Sequence, residues 1–208
     1  MKPIKCAIIG CGPGTEGKGG VHSISYAHAW AFVGDPRTQL VAAASRTPNN
    51  REAFASEFSG TTMYADYREM LTHEKADLVS ICGFPQDREA MLSAALEAGA
   101  RILWVEKPFA LSLGEGKRMQ AAARAAGARI FVNHQRRMGK VFEWFRAAVS
   151  SGKLGSLYSV EVVQPGFVRT APPRADPVNA TSKASVRNSI HRMAGPRLSV
   201  DGCRSFRR

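Results

Sequence analysis

Ile102-Leu-Trp-Val-Glu106-Lys107-Pro108 joins an apolar run to an acid, an amine and a proline, with no turn residue between them. The run from Ile102 to Val105 reads as a buried strand. In an open α/β sheet, ligands bind just beyond the carboxyl ends of the strands. Lys107 is therefore placed where chemistry happens, which makes it a candidate catalytic residue. Pro108 restricts the backbone of Lys107 to extended conformations. Taken alone, the tripeptide fits a surface Glu–Lys pair at a strand end just as well.

A second group of residues bears on that choice. Gly10-Cys-Gly12-Pro-Gly14 follows an apolar strand, Ile4–Gly10, and precedes a helical segment. In that context a glycine pair has a physical use: the first permits a tight turn and the second lets backbone N–H groups approach a pyrophosphate at a helix N-terminus. The loop runs on to Gly20, several residues longer than the usual fingerprint, and its third glycine is not at the standard spacing. The alternative is a plain flexible loop. The second strand ends Ala44-Ser45-Arg46. An acid here would select NAD through the ribose 2′-OH. Ser45 with Arg46 instead predicts NADP over NAD, because a guanidinium bonds a 2′-phosphate in a fork; an exposed arginine at a strand end is the other reading.

The remaining chemistry-bearing residues are scattered. His28 lies inside the first helix, where packing is the simpler reading. His134 follows the strand Arg129–Val132 and so could border a ligand, together with Asn133, Gln135, Arg136 and Arg137. No histidine pair has zinc spacing, and Cys6, Cys11, Cys82 and Cys203 form no CxxC, so no metal site is expected. No Ser-His-Asp or Cys-His arrangement is legible, and Lys18 lacks the Gly-Lys-Ser/Thr ending of a phosphate-loop lysine.

The elements that would position these residues alternate regularly. Strands are expected at Ile4–Gly10, Leu40–Ala44, Leu78–Cys82, Arg101–Val105 and Arg129–Val132. Helices are expected from about Ser23 to Val33, Pro48 to Phe58, after Asp66, Arg88 to Ala98, and after Ser112 up to Gly127. Asp66–Glu69 and Ser112–Glu115 are capping-box patterns. Such alternation predicts an α/β fold, a doubly wound parallel sheet with helices on both faces. A helix at Lys140–Ser150 and a half-buried antiparallel strand at Ser156–Val163 would begin a second, α+β domain. The expected divisions are residues 1–135, 136–163 and 164–208.

Composition narrows the class. The 208 residues carry a formal charge of +12 and are 44% hydrophobic, enough for a real core. The charge is uneven: residues 164–208 hold nine Lys+Arg against two Asp+Glu. That stretch has no aromatic platform or recognised binding motif, so a solvated, non-native tail is expected ahead of a nucleic-acid arm. No apolar run spans a membrane and no export signal opens the chain, so a cytoplasmic protein without membrane or nucleic-acid partners is expected.

These residues together resemble the Gfo/Idh/MocA oxidoreductase family. The resemblance rests on Ile8-Ile-Gly10-Cys-Gly12, His28-x-x-Ala31, Tyr64-x-Asp66-Tyr67-x-x-Met70-Leu71 and Asp77-Leu-Val-Ser-Ile-Cys82. It continues through Ala94-Ala-Leu-Glu-Ala-Gly99, Glu106-Lys107-Pro108, Arg136-Arg137 and Ser151-Gly-Lys-Leu-Gly155. It implies an NAD(P)-binding Rossmann domain followed by a substrate domain that often carries a dimer contact. It implies oxidation of a sugar or polyol carbon, or reduction of the ketone, with Lys107 near nicotinamide and substrate. The cofactor site it implies comprises Gly10, Gly12, Gly14, Ser45, Arg46, Cys82, Pro85, Glu106, Lys107 and Gln135. Three departures stand out. The glycine loop has an insertion, Pro85-Gln-Asp-Arg-Glu89 lacks the family's histidine, and the second-domain Asp-x-x-x-His pair has no match. The resemblance stops after Val163, where a truncated or frameshifted second domain is the expectation. A dinucleotide-binding module without catalysis is the competing reading.

Overall fold

The computed structural model describes residues 2–12 and 23–161. Among them, β1 (Ile4–Ile9), β2 (Thr38–Ala44), β3 (Thr62–Tyr64), β4 (Leu78–Ile81), β5 (Ile102–Val105) and β6 (Arg129–Val132) form one sheet. Its order is β3-β2-β1-β4-β5-β6, and every pairing is parallel. The helices are α1 (Ile24–Gly34), α2 (Pro48–Glu57), α3 (Tyr67–Glu74), α4 (Arg88–Glu97), α5 (Leu113–Ala125) and α6 (Lys140–Ser150). This is the doubly wound α/β arrangement that the alternation predicts.

The central strands read as nearly unbroken apolar runs because helices cover the sheet on both faces there. Successive side chains point to opposite faces, and β1 and β2 feed two cores. Ala7, Ile9, Ala42, Ala44, Val79, Ile81, Leu103 and Val105 pack with Met70 and Leu71 of α3, Leu92 and Ala95 of α4, and Met119 of α5. Cys6, Ile8, Leu40 and Ala43 pack with Tyr26, Ala29 and Phe32 of α1 and with Phe54 and Phe58 at α2. The Tyr26 ring meets Phe54 edge-on at 5.1 Å, and Phe54 lies 4.7 Å from Phe58.

Local signals set the helix ends. Ser112 Oγ accepts from the Glu115 N–H at 3.1 Å, while the Glu115 carboxylate reaches back to the Leu111 N–H at 2.9 Å. At Asp66 the carboxylate instead accepts from the Arg68 N–H at 2.8 Å. Gly99, just past α4, sits at φ +93°, as an αL helix terminator does.

Two differences from the sequence expectations are instructive. β3 is too short to carry a period, and it forms because Thr62–Tyr64 pairs with Ala42–Ala44. The strand expected at Ser156–Val163 is absent over its described part, 156–161. Its alternating residues, Leu157 and Val160 among them, are exposed, and alternation makes a strand only where a partner edge and a core receive it. The expected tail at 164–208 lies outside the described residues. Among the described residues, no helix is long and apolar enough to cross a membrane.

Candidate functional site

The strands end in a row. Backbone bonds tie the residues just past them together: Gly10 N–H to Ala44 O, Cys82 N–H to Ile9 O, Glu106 N–H to Ile81 O and Asn133 N–H to Val105 O. This carboxyl edge carries every strand-end residue singled out by the sequence. Strand order reverses direction between β1 and β4, which makes their junction the topological switch point where such sheets bind ligands.

A cleft of about 750 Å³ opens there. Gly10, Cys11, Gly12, Ser23, Ser45, Arg46, Asn50, Cys82, Gly83 and Phe84 contribute to its walls. Two glycines are required by contact. Gly10 has φ +93°, and a Cβ there would lie 2.7 Å from the Gly83 backbone nitrogen. A Cβ on Gly12 would lie 2.4 Å from the Ser23 Cβ, at the foot of α1. Gly12 N–H donates to Ser25 Oγ at 3.2 Å, and the Ser23 and Ser25 hydroxyls share a 2.5 Å hydrogen bond. The cleft thus combines a close-approach glycine turn with the N-terminus of an eleven-residue helix, the arrangement that receives a phosphate. The shape and donors fit a dinucleotide.

At the β2 end, Ser45 is buried and Arg46 is exposed. Arg51 of α2 donates to the Ser45 carbonyl at 2.7 Å and the Arg46 carbonyl at 3.2 Å, so a second guanidinium supports the same loop. Asn50 Nδ2 donates to the Cys11 carbonyl at 3.2 Å and joins α2 to the glycine turn.

Under the β4–β5–β6 ends lies a buried polar cluster. The His28 ring stacks on Trp104, with centroids 3.7 Å apart. Its Nδ1 is 2.6 Å from Ser80 Oγ, and its Nε2 is 3.2 Å from Glu106 Oε1. Asn133 Nδ2 donates to the same carboxylate oxygen and lies 3.0 Å from His28 Nε2. An Nε2–H tautomer lets the imidazole donate to Glu106 and accept from the Ser80 hydroxyl, with the Asn133 amide donating to the same carboxylate oxygen rather than to the ring. Burial pushes the Glu106 carboxyl up. The bonds from His28 and Asn133, the nearby His28 ring and the Lys107 N–H outweigh this and hold it below the usual range. The expectation that His28 is packed agrees with its burial, but its bond to Glu106 was not anticipated. Helix position alone gave no signal for a partner 78 residues away.

The expected site residues fall into three places. Gly10, Gly12, Ser45, Arg46 and Cys82 line the switch-point cleft. Lys107 is exposed on the loop after β5, behind buried Glu106, and the Lys107–Pro108 bond is cis. Pro85 opens the short 3-10 turn that leads into α4. Gln135, with Asn133 and His134, lines a separate groove of about 600 Å³ that also includes Trp104, Phe131 and Met138. Gly14 lies outside the described residues. Sequence reading missed Ser23, Ser25, Asn50, Arg51 and Phe84, whose roles arise from contacts between elements. Burial raises the Cys11 and Cys82 thiols to about 12. Among the described residues, no group of His, Cys, Asp or Glu comes together in a way that could hold a metal ion.

Residues 4–134 match the model of an oxidoreductase family described as having an NAD-binding Rossmann fold, GFO_IDH_MocA. The chain is 27% identical to D-apiose dehydrogenase of Paraburkholderia graminis, over 75% of this chain and 39% of that one. Among solved structures it resembles the WlbA dehydrogenase of Bordetella pertussis, crystallised with NADH and UDP-GlcNAcA. The TM-score is 0.63 at 27% identity, covering 74% of this chain and 44% of that one. It also resembles a biliverdin reductase of Synechocystis sp. PCC 6803, crystallised with biliverdin and NADP+. The TM-score is 0.61 at 29% identity, covering 72% and 43% of the two chains. The chain spans less than half the length of each of these relatives.

Proposed function

We propose, for a chain that belongs to the Gfo/Idh/MocA family of NAD-binding Rossmann oxidoreductases, that the switch-point cleft binds NADP(H) in preference to NAD(H). On this reading Lys107 handles the substrate proton in a sugar- or polyol-dehydrogenase reaction. The carrying observation is the cleft itself, where Gly10 and Gly12 leave no room for a Cβ against Gly83 and Ser23. A bound nicotinamide dinucleotide would supply the hydride acceptor or donor.

The protein's own residues divide the remaining work. Gly10, Gly12 and the start of α1 would receive the pyrophosphate, and Ser45 and Arg46 the adenosine ribose, with Gly14 the further candidate of the glycine loop. Arg46 favours a 2′-phosphate, and no carboxylate follows β2 at once to repel it. Cys82 and Glu106, just past β4 and β5, and Pro85, at the start of a short 3-10 turn, would border the nicotinamide half, with Gln135 reaching it from the neighbouring groove. Buried Glu106, fixed by His28 and Asn133, sets the backbone from which Lys107 projects. Lys107 would then take the hydroxyl proton during oxidation and return it during reduction.

Calorimetric titration of the chain with NADPH and NADH, repeated on Arg46→Ala, tests the preference. A charge-assisted hydrogen bond is worth roughly 1.5–3 kcal/mol, so the substitution should weaken NADPH about 10- to 100-fold. NADH should change little. Equal affinities for both, unmoved by the substitution, would contradict the NADP assignment. A panel of sugars and polyols, assayed by nicotinamide absorbance, with Lys107→Met as control, tests the reaction class.

A further inference from the structure

The first residue of α4 is a buried arginine. Arg88 is 2% exposed, and among the described residues its guanidinium forms no ion pair. Its Nη2 donates to the Gly83 carbonyl at 2.8 Å, and its Nη1 donates to the Pro108 carbonyl. The two acceptors belong to different loops. Gly83 follows β4 and leads into Phe84 and Pro85. Pro108 follows Lys107 on the loop after β5. Glu106, Cys82 and Glu115 act on the guanidinium through their charge, but none forms an ion pair with it among the described residues, and Glu115 is engaged with the Leu111 N–H.

Burying a guanidinium without an ion-pair partner is costly, and an apolar side chain of similar volume would fill the space without that cost. What the guanidinium supplies is geometry. Its planar fork holds two donors at fixed separation, and here one is spent on each loop. The contacts continue to the glycine turn, since a Cβ on Gly10 would strike the Gly83 backbone. Gly10, Gly83, Arg88 and Pro108 therefore form one connected set, running from the end of β1 to the residue after Lys107.

We propose that Arg88 is a positioning residue, fixing the Lys107–Pro108 loop against the Gly83–Pro85 loop so that both present a preformed edge to the nicotinamide half of the cofactor. This rests on the dinucleotide reading above. It goes beyond that reading by naming a side chain remote from the ligand as the part that sets the geometry.

The test compares a whole cofactor with a fragment. NADPH reaches the two loops on this account, and 2′-phospho-ADP-ribose, which lacks nicotinamide, does not. Affinities of the wild-type chain, Arg88→Met and Arg88→Lys are measured for both, together with the fluorescence of bound NADPH. Arg88→Met should weaken NADPH about tenfold or more, as loss of bonds from a charged donor does. It should leave the fragment within about twofold, since uncoupled sites act independently. Arg88→Lys, which can reach one carbonyl but not both, should fall between, and the emission of bound NADPH should shift in step. Fragment binding itself reports a folded cleft. If Arg88→Met does not fold, Arg88→Lys decides by the same comparison. Equal weakening of both ligands, or no weakening of NADPH in a folded variant, would overturn the positioning role. A wild-type chain that binds neither ligand would instead overturn the dinucleotide reading, and this proposal with it.

Discussion

Cys82 sits at the end of β4, in the wall of the cleft, with its thiol 3.4 Å from Ser80 Oγ. Burial pushes it to about 12; the Ser80 bond only partly opposes this. Cys6 and Cys11 are buried and raised to about 12 for the same principal reason. The thiolate is the nucleophile, so all three should resist iodoacetamide at pH 8 in the native protein and react once denatured. Peptide mass spectrometry checks this, and rapid native modification of Cys82 would contradict its environment. The sequence placed Cys82 at a strand end and made it a cofactor contact, but its neighbours Ser80 and His28 were not legible as a set. Each is unremarkable locally, and only the β1–β4–β5 pairing and the packing of α1 bring them together. Glu106 illustrates the same limit. Its position beyond β5 could be read from the apolar run before it, whereas its partners His28 and Asn133 lie 78 and 27 residues away.

At the scale of elements, the glycine turn is the most constrained piece. Gly10 combines a positive φ with a 2.7 Å approach to backbone, which cannot move as a flexible side chain could. Gly10→Ala should therefore destabilise the fold by about 1–3 kcal/mol through backbone strain alone. Urea denaturation measures this as a lower midpoint, and an unchanged midpoint would show that the turn relaxes freely. Most elements were legible because periodicity, caps and glycine stops agree, as at α5 between Ser112 and Gly127. β3 was not legible, because three residues hold no period and their pairing with β2 is remote in sequence. The 156–161 segment shows the converse: its alternation is real, but no strand forms over it. On α6 too the apolar side chains Val141, Phe142 and Phe145 are exposed.

For the molecule as a whole, acid should be the weak side. Glu106 titrates below its ordinary value when folded, as do Asp35 beside Arg37 and Glu89 beside Arg118. A carboxylate depressed by folding stabilises the native state above its unfolded pKa, and the benefit disappears as pH falls through the folded value. Melting temperature should therefore change little from neutrality down to about pH 5 and fall below about pH 4. Glu106→Gln should flatten part of that fall, because Asp35 and Glu89 act through separate exposed pairs. A melting temperature independent of pH across the acid range would contradict the depressed carboxylates.

The central claim is that one edge of the sheet holds a nicotinamide dinucleotide at the β1–β4 switch point. Hydrogen–deuterium exchange of the chain with and without saturating NADPH tests it most directly. Protection should appear at Gly10–Gly12, Ser23–Ser25 and Cys82–Phe84, with none at the opposite edge around Asp35–Arg37, Lys75–Asp77 and Ala126–Ala128. Protection confined to that opposite edge, or no change anywhere at saturation, would contradict the account.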